Sequence, residues 1–151
     1  LDEVPGKTRI NLIETPYNLI DKDIVCYPNL VLYFKCRVFR LFMKPRIVYS
    51  AITVDLVKGN AARANMFPNY VPIEISESAL IPQLIDNTAA VDAAAAVTLK
   101  WLRHRYKVYK APDIAIMKQK EVYKAFFYIQ DERNQDVLVD SIEGIDIDET
   151  D

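Results

Sequence analysis

Glycine is scarce: three residues in 151, Gly6, Gly59 and Gly144. A Gly-rich phosphate cradle cannot be built from them, which removes the common nucleotide-binding loops. Cysteine is scarce too. Cys26 and Cys36 are the only two, too few for a disulfide framework, and they read as free thiols of a reducing compartment. His104 is the single histidine, so no histidine-rich metal cluster can form. No Asn-x-Ser/Thr acceptor occurs. No apolar run approaches the roughly 20 residues of a membrane-spanning helix. The chain opens Leu1-Asp2-Glu3, without an initiator Met or the basic flank and apolar core of a signal peptide, as a processed product or an excised fragment would. These features point to a cytoplasmic location or a bacterial envelope face.

What is present is globular. The chain is 51% hydrophobic and 26% charged, outside the disordered range. With a net charge of −2, bulk charge points to neither nucleic acid nor anionic membrane. The length fits one domain, residues 1–151, or two small ones sharing a core.

Two stretches repeat an order of residues. Pro28-Asn29-Leu30, Val38 to Met43, and Ile52-Thr53-Val54-Asp55 end on Gly59. Pro112-Asp113-Ile114, Val122 to Phe127, and Val137-Leu138-Val139-Asp140 end on Gly144. This reads as an internal duplication, about 28–59 and 112–144, of strand-forming units. Lys44-Pro45-Arg46 reads as a turn, because proline cannot continue a central strand. Asn87 or Thr88 can cap a helix running to about residue 106. Ala90, Ala94, Val97 and Trp101 recur on one face with Leu102, and Arg103, Arg105 and Lys107 sit at its C-terminal end. The expected fold is α+β: a mostly antiparallel sheet from two related β units, packed by that helix. The uncharged run Leu30-Val31-Leu32-Tyr33-Phe34 is expected at a sheet edge. It would be covered by the arm carrying Ile10, Leu12 and Ile13, or by a second chain in a dimer.

The span Trp101 to Ile147 holds Val122-Tyr123-Lys124-Ala125-Phe126-Phe127, then Val137-Leu138-Val139-Asp140 and Gly144. It resembles the PepSY-type module, in which a helix precedes an antiparallel hairpin. The resemblance implies a non-catalytic domain that binds or restrains a partner protein, often at a bacterial envelope, and it transfers no catalytic residue.

Candidate chemistry is sparse. Asp55 and Asp140 hold equivalent places in the repeat. They either close turns by accepting local backbone N–H bonds, or face each other across a ligand site together with Phe39 and Tyr123. His104 is either a surface residue or a base for Cys26 or Cys36. Lys100, Arg103, Arg105 and Lys107 form a basic surface that continues through Lys124, with tyrosines interleaved as in single-strand binders, though no nucleic-acid motif accompanies them. The acidic tail lacks the spacing of a calcium loop. The leading expectation is a non-enzymatic protein-interaction or regulatory module with a protein partner and no cofactor or metal. The alternatives are a small-ligand or enzymatic site between the repeats, and nucleic-acid binding through residues 100–124.

Overall fold

The computed structural model describes residues 6–16, 23–64, 66–130, 132–133 and 136–140. The fold is α+β, a mostly antiparallel sheet with one main helix. The strands are β1 (Lys7–Ile13), β2 (Ile24–Arg40), β3 (Met43–Asp55), β4 (Ala61–Ala64), β5 (Tyr70–Ser76), β6 (Asp113–Gln130) and β7 (Asp136–Asp140); the helix is α1 (Asn87–Arg105). Strand order is β4-β3-β2-β6-β1-β5, with β7 paired to β6. The chain divides into two compact units. Unit 1 is Leu1–Pro28, Asn69–Pro82 and Val122–Asp151; unit 2 is Asn29–Pro68 and Gln83–Glu121.

Unit 2 is built on the β2–β3 hairpin. Alternation with period two sends Leu30, Leu32, Phe34, Cys36 and Val38 to one face, where they meet Ile52 and Val54 across the ladder. Helix α1 covers this core with Ala90, Ala94 and Leu102. Alanines let the helix backbone come close, and complete burial of Phe34 or Leu32 contributes roughly 1.5–3 kcal/mol each. The helix stands one residue from its expected start. Its cap is Asp86, not Asn87 or Thr88: the Asp86 carboxylate accepts from the Ala89 N–H at 2.8 Å. A carboxylate there satisfies an orphan donor and sits at the positive end of the helix dipole. Asn87 instead donates to Glu121 at 2.6 Å. Thr98 is fully buried on the helix's inner face, its hydroxyl donating to the Ala94 carbonyl at 2.9 Å. That internal bond is what lets a polar residue sit there.

Unit 1 has its own core. Ile10, Leu12, Cys26 and Ala125 are buried together, flanked by Ile24, Ile73, Ile75, Leu80 and Tyr123. β1 pairs with β5 antiparallel from Lys7↔Ser76 to Ile13↔Tyr70, and with β6 in parallel at Leu12↔Tyr123. Pro72 lies on the edge strand β5, where a missing N–H is tolerated.

Three expectations are corrected. Leu30–Phe34 is not an edge: it belongs to β2, between β3 and β6. The arm carrying Ile10, Leu12 and Ile13 pairs with β5 and β6 instead. Lys44-Pro45-Arg46 is not the turn. The hairpin turns at Leu41-Phe42, with Arg40 opposite Met43, and β3 runs on through Pro45. The pairing shifts by one residue between Val38↔Arg46 and Arg40↔Met43, so Lys44-Pro45 carries a bulge. A bulge leaves a backbone group out of the ladder, which is where proline fits in a strand.

The two similar stretches both form antiparallel hairpins, β2–β3 and β6–β7. Their aligned segments fall differently: Val38–Met43 spans a turn, whereas Val122–Phe127 lies inside β6. Gly144 and the acidic residues Glu143, Asp146, Asp148, Glu149 and Asp151 lie outside the described residues, as do Tyr17–Lys22.

Candidate functional site: the basic end of unit 2

The residues expected around a ligand do not converge within either unit. Asp55 and Phe39 belong to unit 2, Tyr123 and Asp140 to unit 1. Asp55 pairs with Asn29, ten positions from Phe39 along β2, a separation of roughly 33 Å at strand rise. One Asp55 carboxylate oxygen accepts from the N–H groups of Val57 and Lys58, at 2.8 and 3.2 Å. The same turn bonds Gly59 N–H to the Asp55 carbonyl at 2.8 Å, with Gly59 at a φ of 83° that other residues avoid. Tyr123 packs against the core of unit 1. The backbone of Asp140 pairs opposite Phe126, and its side chain lies outside the described residues.

His104 is exposed on the last turn of α1. Both cysteines are free and fully buried. Burial pushes the Cys26 thiol up to about 11. Burial also pushes Cys36 up to about 11, against the opposing pull of the Arg63 charge. Thiols held protonated in this way are poor nucleophiles at neutral pH. Among the described residues, no group of three or more His, Cys, Asp and Glu side chains is placed to hold a metal ion.

The positive charge does converge. Lys100, Arg103 and Arg105 are exposed on the end of α1, and Lys107 follows them. This end is tied to the end of the β2–β3 hairpin. Arg46 of β3 and Arg105 each lie 5.2 Å from the centre of the Tyr106 ring. Tyr106 meets Trp101 edge-on at 6.1 Å, and Arg63 covers the Trp101 ring at 3.6 Å. Lys110 lies 4.5 Å over Phe39, and the Tyr109 hydroxyl donates to the Arg40 carbonyl at 3.3 Å. Each such cation–ring contact contributes roughly 0.5–1 kcal/mol when exposed.

The hairpin turn projects apolar side chains from this cationic end. Leu41, Phe42 and Met43 are 59%, 102% and 60% exposed. Phe42 has a φ of 60°, the left-handed region that a bulky residue ordinarily avoids. Arg40 and Lys44 flank the turn, held together by the Arg40 Nε–H bond to the Lys44 carbonyl at 2.9 Å.

Two features of the sequence point to this site beyond the cations of α1. From Ile24 to Val54 the chain has five Lys and Arg and no Asp or Glu. The second is the partition of charge. Unit 2 holds fourteen Lys and Arg against five Asp and Glu, a net of +9; unit 1 holds five against sixteen, a net of −11. The overall −2 conceals both, so an inference from bulk charge against anionic partners does not carry over to unit 2.

The fold and this end together define an α+β protein with a strongly basic unit carrying a cation–aromatic surface. No family model, no curated protein and no solved structure matches the chain.

Proposed function

We propose that the protein is a non-enzymatic interaction or regulatory module whose recognition surface is the basic end of unit 2. The observation that carries this reading is the segregation of charge, +9 in one unit against −11 in the other. A surface potential of that kind steers anionic partners and raises their association rate. The exposed apolar turn supports a surface that is finished by a partner. The PepSY-type resemblance of residues 101–147 implies partner binding as well. Catalysis or ligand binding through Asp55 and Asp140 is less favoured, because the Asp55 carboxylate is already engaged by its own turn. Base stacking on Trp101 and Tyr106 is less favoured, because Arg63, Arg46 and Arg105 already lie against those rings.

Retention on a phosphate-bearing cation exchanger near pH 7 tests the reading. The protein should bind at low salt despite its net negative charge, and elute as salt rises. The K100E/R103E/R105E/K107E variant should flow through. A wild-type protein that itself flows through at low salt, as an evenly acidic chain would, overturns the reading.

A further inference from the structure

We propose that the Leu41-Phe42-Met43 turn is a membrane-insertion tip that seats the basic end of unit 2 on an anionic lipid surface. The proposal rests on the reading of that end as the recognition surface, and names its partner.

Phe42 carries the argument. Its backbone occupies a conformation that glycine or asparagine adopts far more readily, yet its ring is fully exposed. Leu41 and Met43 beside it are mostly exposed as well. Three adjacent apolar side chains at the end of a long, well-paired hairpin gain nothing in water.

The cations are layered behind the tip. Arg40 and Lys44 stand two residues from Phe42, roughly 7 Å back at strand rise. Arg37, Arg46 and Lys110 follow, with Lys110 anchored over Phe39. Amphipathic elements at a bilayer surface sink their apolar side about 5–10 Å into the headgroup–acyl boundary. A Phe42 ring at that depth would leave Arg40 and Lys44 at the phosphates, and the next cations in the diffuse layer of negative potential. Each Lys or Arg near such a surface strengthens binding roughly fivefold. No carboxylate in β2 or the first twelve residues of β3 opposes them.

Other anionic partners fit this layering less well. A protein would need a preformed cavity for a protruding ring. A nucleic acid supplies phosphates but must unstack a base step to admit it. A lipid surface offers an apolar layer directly beneath its anions. A tip this small and a basic patch are each weak anchors, and stable attachment uses two signals together.

Vesicle co-sedimentation tests the proposal, with pure phosphatidylcholine compared against phosphatidylcholine containing phosphatidylglycerol. The protein should sediment with the anionic vesicles alone, and high salt should release it. Phe42→Gly suits the local backbone, so it should melt no lower than wild type yet bind at least tenfold more weakly. Arg40→Glu with Lys44→Glu should abolish sedimentation. Phe42→Cys gives one reactive thiol, since Cys26 and Cys36 are buried. An environment-sensitive dye there should shift to the blue on anionic vesicles. Wild-type-like sedimentation of Phe42→Gly, or an unshifted dye on bound protein, overturns insertion and leaves the basic recognition surface standing. Binding to single-stranded DNA or to an acidic protein, with none to anionic vesicles, overturns the lipid partner and also leaves that surface standing. Absence of binding to every polyanion, the phosphate exchanger included, overturns both.

Discussion

The two units solve the same packing problem with chain segments of opposite net charge. Unit 1 buries Ile10, Leu12, Cys26 and Ala125, and unit 2 buries a larger set around Phe34, Leu32 and Ile52 under α1. The cores share aliphatic side chains on alternating strand positions. Summed over their sequence segments, the units differ by twenty charges, +9 against −11. Apolar burial sets where strands lie, and it places almost no demand on the sign of the charges outside. Sign is therefore the feature in which the units differ most, and it is where recognition is sought. A chain with its charges mixed would be equally foldable and better balanced against self-repulsion.

The core half of the comparison breaks most strongly at Ala94. This residue is fully buried where α1 lies on the sheet. Ala94→Asp puts an unpaired carboxylate there and should lower stability by roughly 2–4 kcal/mol in a denaturant or thermal melt. An unchanged melt would mean that α1 does not press this face on β3.

Each unit also hides one thiol, Cys26 in unit 1 and Cys36 in unit 2, and both are pushed from the ordinary 9.0 up to about 11 by burial. The folded state therefore holds these protons more tightly than the unfolded chain. The resulting stability is complete below pH 9 and is lost as pH rises towards 11. Cys26→Ala/Cys36→Ala should show a shallower loss over that interval. Neither thiol should react with a disulfide reagent at pH 8 until the protein unfolds. Prompt reaction in the folded state would contradict the burial of both.

A smaller effect belongs to the helix of unit 2. Asp86→Ala removes the cap on Ala89 N–H and should lower stability by about 1 kcal/mol, whereas Thr88→Ala should change little. Equal effects of the two substitutions would remove Asp86 from its place as the cap.

The sequence carried some of this and hid the rest for physical reasons. Helix α1 was legible to within a residue at each end, because Ala89 to Ala96 combine high propensity with a recurring apolar face. The placement of Leu30–Phe34 failed because an uncharged run has two meanings. It marks either an exposed edge or a strand buried on both faces, and complete burial of Leu30, Val31 and Leu32 is the second case. The hairpin turn was misplaced because Pro45 looks like turn chemistry and Leu41-Phe42 does not. The chain uses proline at a bulge and forces an aromatic through the turn. Ile114 and Val122 to Phe127 fall in one strand, β6, because the polar stretch Lys118-Gln119-Lys120-Glu121 between them continues the strand on a largely exposed face. Among candidate site residues, Lys100, Arg103, Arg105 and Lys107 were named from sequence. Arg40, Lys44 and the apolar tip between them were not. The units interleave along the chain, so a sum over the whole sequence cancels the charge that a sum over each unit exposes.

The central claim is that recognition depends on where the charge lies and not on how much there is. Two variants with the same drop in net charge separate these: Arg103→Glu/Lys107→Glu in unit 2 and Lys7→Glu/Arg9→Glu in unit 1, all four positions being exposed. The salt needed to elute each from a phosphate-bearing exchanger is the measurement. The account predicts that the unit 1 variant elutes with wild type, while the unit 2 variant elutes far earlier or is not retained. Equal losses in the two variants would mean that retention follows net charge alone, and would contradict the assignment of recognition to the basic end of unit 2.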